Sequence, residues 1–584
     1  MKRISIMPLI ASLSIFTACT TSKAPQPPQA IEKGDYTYLK EYMNWYIKEQ
    51  MEEHDIVGLS VALVDDQKIV WQKGFGYADR KNSVKATPKT RYWVGSITKL
   101  FTGMGVMKLV EEGKMDIDRP LKTYLPEFSI NSRFGSTDAI TPRNIMTHHS
   151  GLPGDWLDGM FSLNPTNYTE HVKLIKDEYT AYPPNKIMSY SNLGITLLGH
   201  ALEKTAGVSY ASYIENKLFK PLKMKHSDFK MDMSNGSKSY IDNEETTEYP
   251  IGKIPAGALG TTVGDLSHLA MMVNAKGRFN NKEVLKESTL KKMFEVQNRN
   301  VALDMGTKIG LSWFIDEKTL GKENIVYGHD GATTAHRSMF CVAPKSKLAV
   351  VVLTNSAEGT PTDIGNTMLK KAYEAKTGEK IPKVSTKNKN VKKGSDFEGV
   401  YASIIGKVKI EKKSEGHYVG YSANGNFNLK INDENAYKAK YLLWSFIPLS
   451  DDSLNNIKFY TQTIDGENLL IGDMNQSRFI AGVKVKPKPI IKAWEKYLGS
   501  YKIINQLEPK SFQIEKVTAK VEDAFPVLEI ELKSGEKMVE ILRVVNDHEA
   551  IVEGLGRNKR ETIYVKDGIF HYQGLKFRKV NHDN

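Results

Sequence analysis

The sequence predicts an α+β domain followed by two all-β domains, and three observations lead to that assignment. The chain has 584 residues, which is too long for one hydrophobic core, so two to four domains are expected. Apolar strands frame a set of helices between about residues 35 and 380, whereas short alternating strands fill the region from 396 to 584. An aromatic-Gly-Tyr pattern also recurs within that second region.

The α+β domain begins with a hairpin and continues into helices. Residues 58–76 read as two strands joined by an Asp-Asp turn. Apolar residues at helical spacing predict a helix from Ser96 to Gly113, where the glycine suits a C-cap. The same spacing predicts a helix from Leu193 to about Ala206 and another from Gly264 to Asn274.

Strands return at the end of this domain. Residues 337–354 alternate and then run apolar, which is typical of buried strands. A helix over about residues 363–377 closes the domain. Because strands lie at both ends with helices between them, residues 35–380 are expected to form one α+β unit.

The C-terminal region contains two blocks of similar length. A Lys-rich linker at 381–395 precedes a block at 396–490 and a second block at 491–584. Each block opens with the same pattern, Phe397-x-Gly399-x-Tyr401 in the first and Tyr497-x-Gly499-x-Tyr501 in the second. We interpret this as an internal repeat of two small, closed or nearly closed β-barrels.

The N-terminus reads as a secretory signal. Lys2 and Arg3 precede an apolar stretch and then Thr17-Ala18-Cys19. This resembles the lipobox of bacterial lipoproteins, which implies lipid attachment at Cys19, membrane anchoring, and a location in the bacterial cell envelope. Residues 1–19 would then be the signal peptide and residues 20–34 a Pro-rich tether. A plain signal peptide is the alternative.

Composition argues against a nucleic-acid partner. The formal net charge is +13, but several lysines of residues 380–393 form one local run that lacks acids. Without interleaved aromatic residues this run is typical of a solvated linker and not of a nucleic-acid contact.

A nucleophile and a base are predicted at the start of the second helix. Ser96-Ile97-Thr98-Lys99 places Ser96 in the first turn, where the backbone N–H groups are free and the helix dipole favours negative charge. Lys99 lies one turn along on the same face, so its amine can reach the hydroxyl of Ser96. A buried lysine with a lowered pKa can accept the hydroxyl proton.

Two further motifs follow in a fixed order. Tyr190-Ser191-Asn192 enters a helix, so Tyr190 can relay a proton and the Asn192 amide can orient substrate. The alternative is a core tyrosine beside a helix-capping asparagine. His329-Asp330-Gly331 completes the minimum set for acyl transfer through a covalent intermediate.

In this order, and with the flanking segments 147–153 and 255–266, these motifs resemble the serine β-lactamase-related family of class C β-lactamases, DD-peptidases, D-aminopeptidases and esterases. The resemblance implies an α/β sandwich whose active site lies between an all-helical region and a five-stranded sheet. It implies that Ser96 is the acylated nucleophile, Lys99 its base and Tyr190 the proton relay. The two β-blocks resemble lipocalin-like domains of some D-aminopeptidase relatives.

The resemblance also assigns the strand that faces the nucleophile. His329 begins the motif that many relatives write as Lys-Thr-Gly, and Ala332 would supply an oxyanion-hole N–H beside that of Ser96. Substrate contacts are expected from Asn192, Asp330 and Gly331. No metal or other cofactor is expected, because no carboxylate or cysteine cluster accompanies His148 and His149.

Asp330 departs from the family pattern. Relatives that bind a substrate carboxylate usually carry a hydroxyl there, and an aspartate should repel a carboxylate by at least ~1 kcal/mol. Neutralisation of Asp330 by Arg337 is the alternative. We therefore expect a substrate with a free amine, or a neutral ester, and an envelope serine hydrolase acting on a small amide, peptide or ester. D-amino-acid peptidase or amidase and carboxylesterase activities are the first candidates. A penicillin-binding DD-peptidase, a β-lactamase, and a sensor with a vestigial site remain alternatives.

Overall fold

The computed structural model of the chain describes residues 23–580, except 233, 235, 382–395, 432–436, 444–446, 449–456 and 475–476. The predicted signal peptide, Cys19 and nearly all of the Lys-rich linker lie outside the described residues. Within the part of the chain that is described, no helix is long and apolar enough to cross a membrane.

The α+β domain is built on one antiparallel sheet of eight strands. In spatial order they are Lys308–Ile309, Phe314–Asp316, Val326–Ala332, Arg337–Ala343, Leu348–Thr354, Gly58–Asp65, Lys68–Asp79 and Val84–Lys85. Five of them are long and the other three span only two or three residues. The expected five-stranded sheet is therefore present but is extended at both edges by short strands. The described residues also form three separate two-stranded sheets of very short strands. They are Tyr92–Trp93 with Gly260–Thr261, Ser239–Ile241 with Glu244–Thr246, and Arg278–Phe279 with Lys282–Glu283.

Helices cover both faces of this sheet. Their bounds are Thr37–Glu53, Thr98–Glu111, Pro142–Met146, His171–Leu174, Asn192–Ala206, Tyr210–Ile214, Ile254–Gly257, Val263–Asn274, Glu287–Phe294 and Pro361–Thr377. The first and last of these pack on one face, where Met43 and Met368 share a core with Val350. Side chains alternate along the strand Leu348–Thr354, so Val351 points to the opposite face and joins the larger core of the helical region. The sequence-predicted helices are confirmed to within a few residues.

Each C-terminal block is an eight-stranded barrel. The first contains Gly399–Ser403, Gly406–Ser414, His417–Ser422, Gly425–Ile431, Tyr437–Leu443, Ile457–Ile464, Glu467–Met474 and Ser477–Val485, with Ile447–Pro448 as an extra edge. The second is closed by Gly499–Ile503, Ile514–Glu522, Phe525–Leu532, Lys537–Asn546, Glu549–Val552, Thr562–Lys566, Ile569–Tyr572 and Leu575–Lys579. Closure leaves few unpaired strand edges, which suits small all-β domains.

The internal repeat is confirmed by matching positions in the two barrels. Tyr401 pairs with Lys484 on the last strand of the first barrel, and Tyr501 pairs with Lys579 on the last strand of the second. The preceding glycines have φ values of +138° at Gly399 and +134° at Gly499. Backbone in that region strongly favours glycine, so the pattern marks the start of each barrel.

Candidate active site

Ser96 lies in a short 3₁₀ turn, Gly95–Ile97, that leads directly into the helix Thr98–Glu111. Its neighbours Gly95 and Ile97 are buried, whereas Ser96 itself is partly exposed. The turn is fixed by Thr98, whose hydroxyl donates to the Gly95 carbonyl at 2.6 Å and accepts from the Leu259 N–H at 3.1 Å. The hydroxyl of Ser96 is therefore presented to solvent from a rigid support.

Lys99 is the partner of this serine. Its Nζ lies 2.9 Å from Ser96 Oγ and donates to the Ala256 carbonyl at 2.6 Å. The side chain is only 1% exposed. Burial, reinforced by the positive charge of Arg557, holds the pKa of Lys99 well below its ordinary value. The predicted pairing of the two side chains is thus present, and the lowered pKa favours the form of the amine that can accept a proton.

Tyr190 lies against the same two groups. Its hydroxyl is hydrogen-bonded to Ser96, and Lys99 Nζ lies 4.9 Å from the centre of its ring. Desolvation raises the pKa of Tyr190 above its ordinary value, so the phenol keeps its proton at neutral pH. The Ser191 hydroxyl, and not Asn192, caps the following helix by accepting from the Gly194 N–H at 2.8 Å.

Two histidines pack beside Tyr190. The ring of His148 lies 4.1 Å from that of Tyr190, and the ring of His329 lies 6.1 Å from it, centre to centre. Burial, with the charge of Lys99, lowers the pKa of His329 to about 3. His329 is therefore neutral at physiological pH and differs in charge from the lysine that many relatives carry.

The strand Val326–Ala332 runs close to the turn that carries Ser96. A Cβ atom on Gly331 would come within 2.0 Å of the Val94 carbonyl oxygen, so only glycine allows this approach. A Cβ atom on Gly95 would come within 2.7 Å of the Ala332 nitrogen. The Ala332 backbone therefore lies beside the Ser96 turn, and the role of its N–H in an oxyanion hole stays a prediction. Substrate contact by Gly331 stays a prediction.

Asp330 lies on the opposite face of this strand from His329, because side chains alternate along a strand. Its carboxylate is exposed and accepts a hydrogen bond from the Thr362 hydroxyl at 3.0 Å. Arg337 instead donates to the carbonyls of Thr333 and His336, each at 2.9 Å. The alternative that Arg337 neutralises Asp330 finds no support in these contacts.

A buried charged network that the sequence did not predict adjoins the site. Asp155, 3% exposed, accepts from Asn192 Nδ2 at 2.9 Å and from Arg557 Nη2 at 2.6 Å, and Lys253 Nζ lies 3.8 Å away. Burial alone would raise the pKa of Asp155, but the charges of Arg557 and Lys253 outweigh it and lower the value to about 2. The Asn192 amide is thus committed to Asp155, and its contact with substrate stays a prediction.

A cavity of about 680 Å³ opens beside the Ser96 turn. Ser96, Tyr190, His329, Asp330, Ala332 and Arg557 are among the residues that line it. His149 is separate, since its Nε2 pairs with Asp304 at 2.8 Å. Among the residues that the structure describes, no group of three or more His, Cys, Asp or Glu side chains could hold a metal ion.

The Beta-lactamase family model matches residues 43–374 of this chain. Protein flp of Staphylococcus aureus (strain MRSA252) is 26% identical over 319 residues, covering 53% of this chain and 61% of that protein. This chain therefore matches less than two thirds of the length of these curated relatives.

Similarity to solved structures covers more of the chain than the family model does. The octameric penicillin-binding protein homologue of Pyrococcus abyssi is 23% identical, with a TM-score of 0.52, and covers 76% of this chain and 99% of its own. The structure of SurE is 17% identical, with a TM-score of 0.55, and covers 76% of this chain and 98% of its own. At these identities the comparison establishes the fold alone.

Proposed function

Because this chain belongs to the Beta-lactamase family, we propose that it is a serine hydrolase that works through an acyl-enzyme on Ser96. The contact that carries the proposal is the 2.9 Å separation of Lys99 Nζ and Ser96 Oγ, with the amine buried and its pKa held well below the ordinary lysine value. A nucleophile within hydrogen-bond reach of an unprotonated base is the arrangement that covalent catalysis requires.

In the proposed reaction Lys99 accepts the Ser96 proton while Oγ attacks the substrate carbonyl. Backbone N–H groups of Ser96 and Ala332 would stabilise the oxyanion of the tetrahedral intermediate. Tyr190, protonated and bonded to Ser96, would pass a proton to the leaving group as the carbon–nitrogen or carbon–oxygen bond breaks. The proton that Lys99 took from Ser96 then passes to Tyr190, which restores both groups. In deacylation Lys99 or Tyr190 accepts a proton from the attacking water and returns it to Ser96 Oγ as the ester bond breaks, so the acid product leaves and the Ser96 hydroxyl is restored.

We propose a small amide, peptide or ester as the substrate, hydrolysed by a D-amino-acid peptidase or amidase activity or by a carboxylesterase activity. Support comes from two features of the strand that faces the nucleophile. His329 is neutral where many relatives have a cation, and Asp330 adds an exposed carboxylate to the cavity wall. Both disfavour a substrate carboxylate at that wall and favour an amine or a neutral group.

A substrate panel tests this function. D-alanine 4-nitroanilide, 4-nitrophenyl acetate and a chromogenic cephalosporin would be assayed with wild type, Ser96→Ala and Ser288→Ala. Ser288 begins another Ser-x-x-Lys sequence on an exposed helix position, so it is a matched control. The proposal is supported if D-alanine 4-nitroanilide or 4-nitrophenyl acetate is hydrolysed and if Ser96→Ala, but not Ser288→Ala, abolishes that hydrolysis. Preferential turnover of the cephalosporin would favour a β-lactamase, and no turnover of any substrate would favour a sensor.

We also propose a location in the cell envelope, anchored by lipid at Cys19. The proposal rests on the sequence around that residue. Metabolic labelling with a radioactive fatty acid in a bacterial host should mark the wild type and not Cys19→Ala. Equal labelling of both, or secretion of an unlabelled wild type, would refute the anchor.

A further inference from the structure

Arg557 belongs to the second barrel but lies in the cavity of the catalytic serine. It is carried by residues 553–561, which connect the strands Glu549–Val552 and Thr562–Lys566. Its guanidinium carbon lies 5.2 Å from the centre of the Tyr190 ring, and it lines the same cavity as Ser96. A residue 461 positions after the nucleophile in sequence is thus part of its immediate surroundings.

Several specific contacts fix this connecting segment against the catalytic domain. The Gly154 N–H donates to the Glu561 carboxylate at 2.8 Å, and the Leu157 N–H donates to the Gln573 carbonyl at 2.7 Å. The Tyr182 hydroxyl bonds both the carbonyl and the N–H of Gly556, at 2.9 and 3.0 Å. These contacts are short and partly or fully buried, so the position of Arg557 is built into the fold.

Arg557 is only partly occupied by contacts within the protein. Its Nη2 lies 2.6 Å from Asp155, and the fully buried Lys253 shares that carboxylate at 3.8 Å. Burial raises the pKa of the nearby Glu561 to about 7 and lowers that of Lys253 to about 8, so each of these two groups carries only part of its charge near neutral pH. The side chain of Arg557 is 44% exposed and lines the cavity, so a ligand in the cavity can reach its guanidinium.

We propose that Arg557 binds an anionic group of the acyl substrate, so that the second barrel sets the substrate preference of the serine hydrolase. The inference rests on the proposed function and refines its substrate class. A guanidinium is suited to this role because it offers several N–H donors in a planar fork that matches a carboxylate. Asp330 contacts Thr362 and Arg557 contacts Asp155, so the proposed amine preference and the proposed anion site involve different residues of the cavity wall.

A pair of activated esters isolates this role. 4-Nitrophenyl hexanoate and the mono-4-nitrophenyl ester of adipic acid differ only in a terminal methyl group or carboxylate. The full chain would be assayed as wild type, Arg557→Gln, Arg557→Lys and Lys566→Gln, with the Ser96→Ala rate subtracted. Lys566 forms an exposed ion pair with Asp177 between the same barrel and domain, so its variant controls for weakened docking.

The expected result is a preference for the anionic ester that Arg557→Gln lowers by at least about tenfold in kcat/KM. Arg557→Lys should retain part of the preference and Lys566→Gln all of it. If Arg557→Gln lowers kcat/KM equally for both esters, so that their ratio is unchanged, Arg557 has a docking role only and the proposal is overturned.

A binding measurement separates failure of this inference from failure of the proposed function. Absence of any Ser96-dependent turnover would refute the hydrolase. Calorimetry on Ser96→Ala would still compare the monoamide of adipic acid, which carries one carboxylate, with the neutral hexanamide, and would repeat the comparison in Ser96→Ala combined with Arg557→Gln. Tighter binding of the anionic amide that the second substitution removes supports the anion site. Equal binding of the two amides contradicts it.

Discussion

The amine of Lys99 is held between the hydroxyl of Ser96, at 2.9 Å, and the carbonyl of Ala256, at 2.6 Å. An unprotonated amine that donates to the carbonyl keeps its lone pair available for the hydroxyl. Desolvation lowers the pKa of Lys99 and so favours this state, because burial penalises the charged form of a lysine. The 3₁₀ turn Gly95–Ile97 thus supplies the nucleophile, and the helix that follows it supplies the base.

Replacement of Lys99 by Met should lower kcat/KM by about 10²–10⁴-fold, since proton transfer by a positioned base contributes that much. Lys291→Met, in the exposed Ser288 motif, should have no effect. In the wild type, activity should fall as pH drops through the pKa of Lys99, because only the unprotonated amine accepts a proton. That midpoint should lie below the ordinary lysine value of about 10.4. A pH profile of kcat/KM checks it, and a midpoint at the ordinary value would argue against Lys99 as the base.

Tyr190→Phe should retain the fold and lose about 10²–10⁴-fold in kcat, because the leaving group would lose its proton donor. Desolvation raises the pKa of this phenol, so the wild-type rate should show no loss from tyrosine ionisation up to pH 9. Steady-state kinetics on an ester and an anilide provide the test. The anilide should suffer more, since an amine leaves less readily without a proton. Equal, small losses on both would mean that Tyr190 only packs.

His329→Gln should make the protein less sensitive to acid. The folded protein holds His329 neutral down to a pKa of about 3, whereas the unfolded chain protonates near its ordinary value of 6.5. The unfolded state therefore binds more protons between these values, and wild-type stability falls as pH drops. From pH 6.5 to 4.5 the free energy of unfolding of the variant should fall by about 2–3 kcal/mol less. Urea unfolding at both pH values measures this, with the exposed His548→Gln as a control that should follow the wild type.

Asp155→Asn should destabilise the protein by about 3–5 kcal/mol, because it leaves the buried Lys253 and the partly buried Arg557 without their shared carboxylate. The matched change is Asp177→Asn, which breaks the exposed pair with Lys566 and should cost less than about 1 kcal/mol. Chemical denaturation of both variants gives the comparison. Similar losses in the two would show that the network around Asp155 contributes no more than a surface ion pair.

Asp330→Asn should reduce the preference for an amine-bearing substrate. The ratio of kcat/KM for D-alanine 4-nitroanilide over its N-acetyl form should drop about fivefold, which corresponds to ~1 kcal/mol of charge attraction. Asp363→Asn removes a nearby carboxylate in the first turn of the helix Pro361–Thr377, which also carries Thr362, and should change the ratio less than Asp330→Asn does. An unchanged ratio in both variants would remove Asp330 from substrate recognition.

Local patterns were enough to predict the catalytic helix and its motif. Helical spacing and a terminal glycine placed Ser96 and Lys99 one turn apart, and the structure has them in contact. The resemblance to the serine β-lactamase-related family implied that Tyr190 and His329 belong to one site, and their rings lie 6.1 Å apart. The first relationship follows from helical periodicity, and the second depended on knowledge of related sequences.

Contacts between distant segments could not be predicted in the same way. Arg557 and Asp155 are 402 residues apart, and no local pattern links a barrel connection to a loop of another domain. The face of the strand on which Asp330 lies depends on register, which a short motif does not specify. The sequence of residues 553–561, with two glycines and three basic residues, was the available signal for a functional loop.

Intact mass of residues 20–584, quenched in acid during reaction with 4-nitrophenyl hexanoate, shows whether Ser96 is acylated. We expect one added acyl group that maps to the peptide containing Ser96, is retained in Ser288→Ala and is absent from Ser96→Ala. The adduct should appear more slowly in Lys99→Met. Nitrophenolate release that is equally fast in Ser96→Ala, or an acyl group on a different residue, would contradict acylation at Ser96.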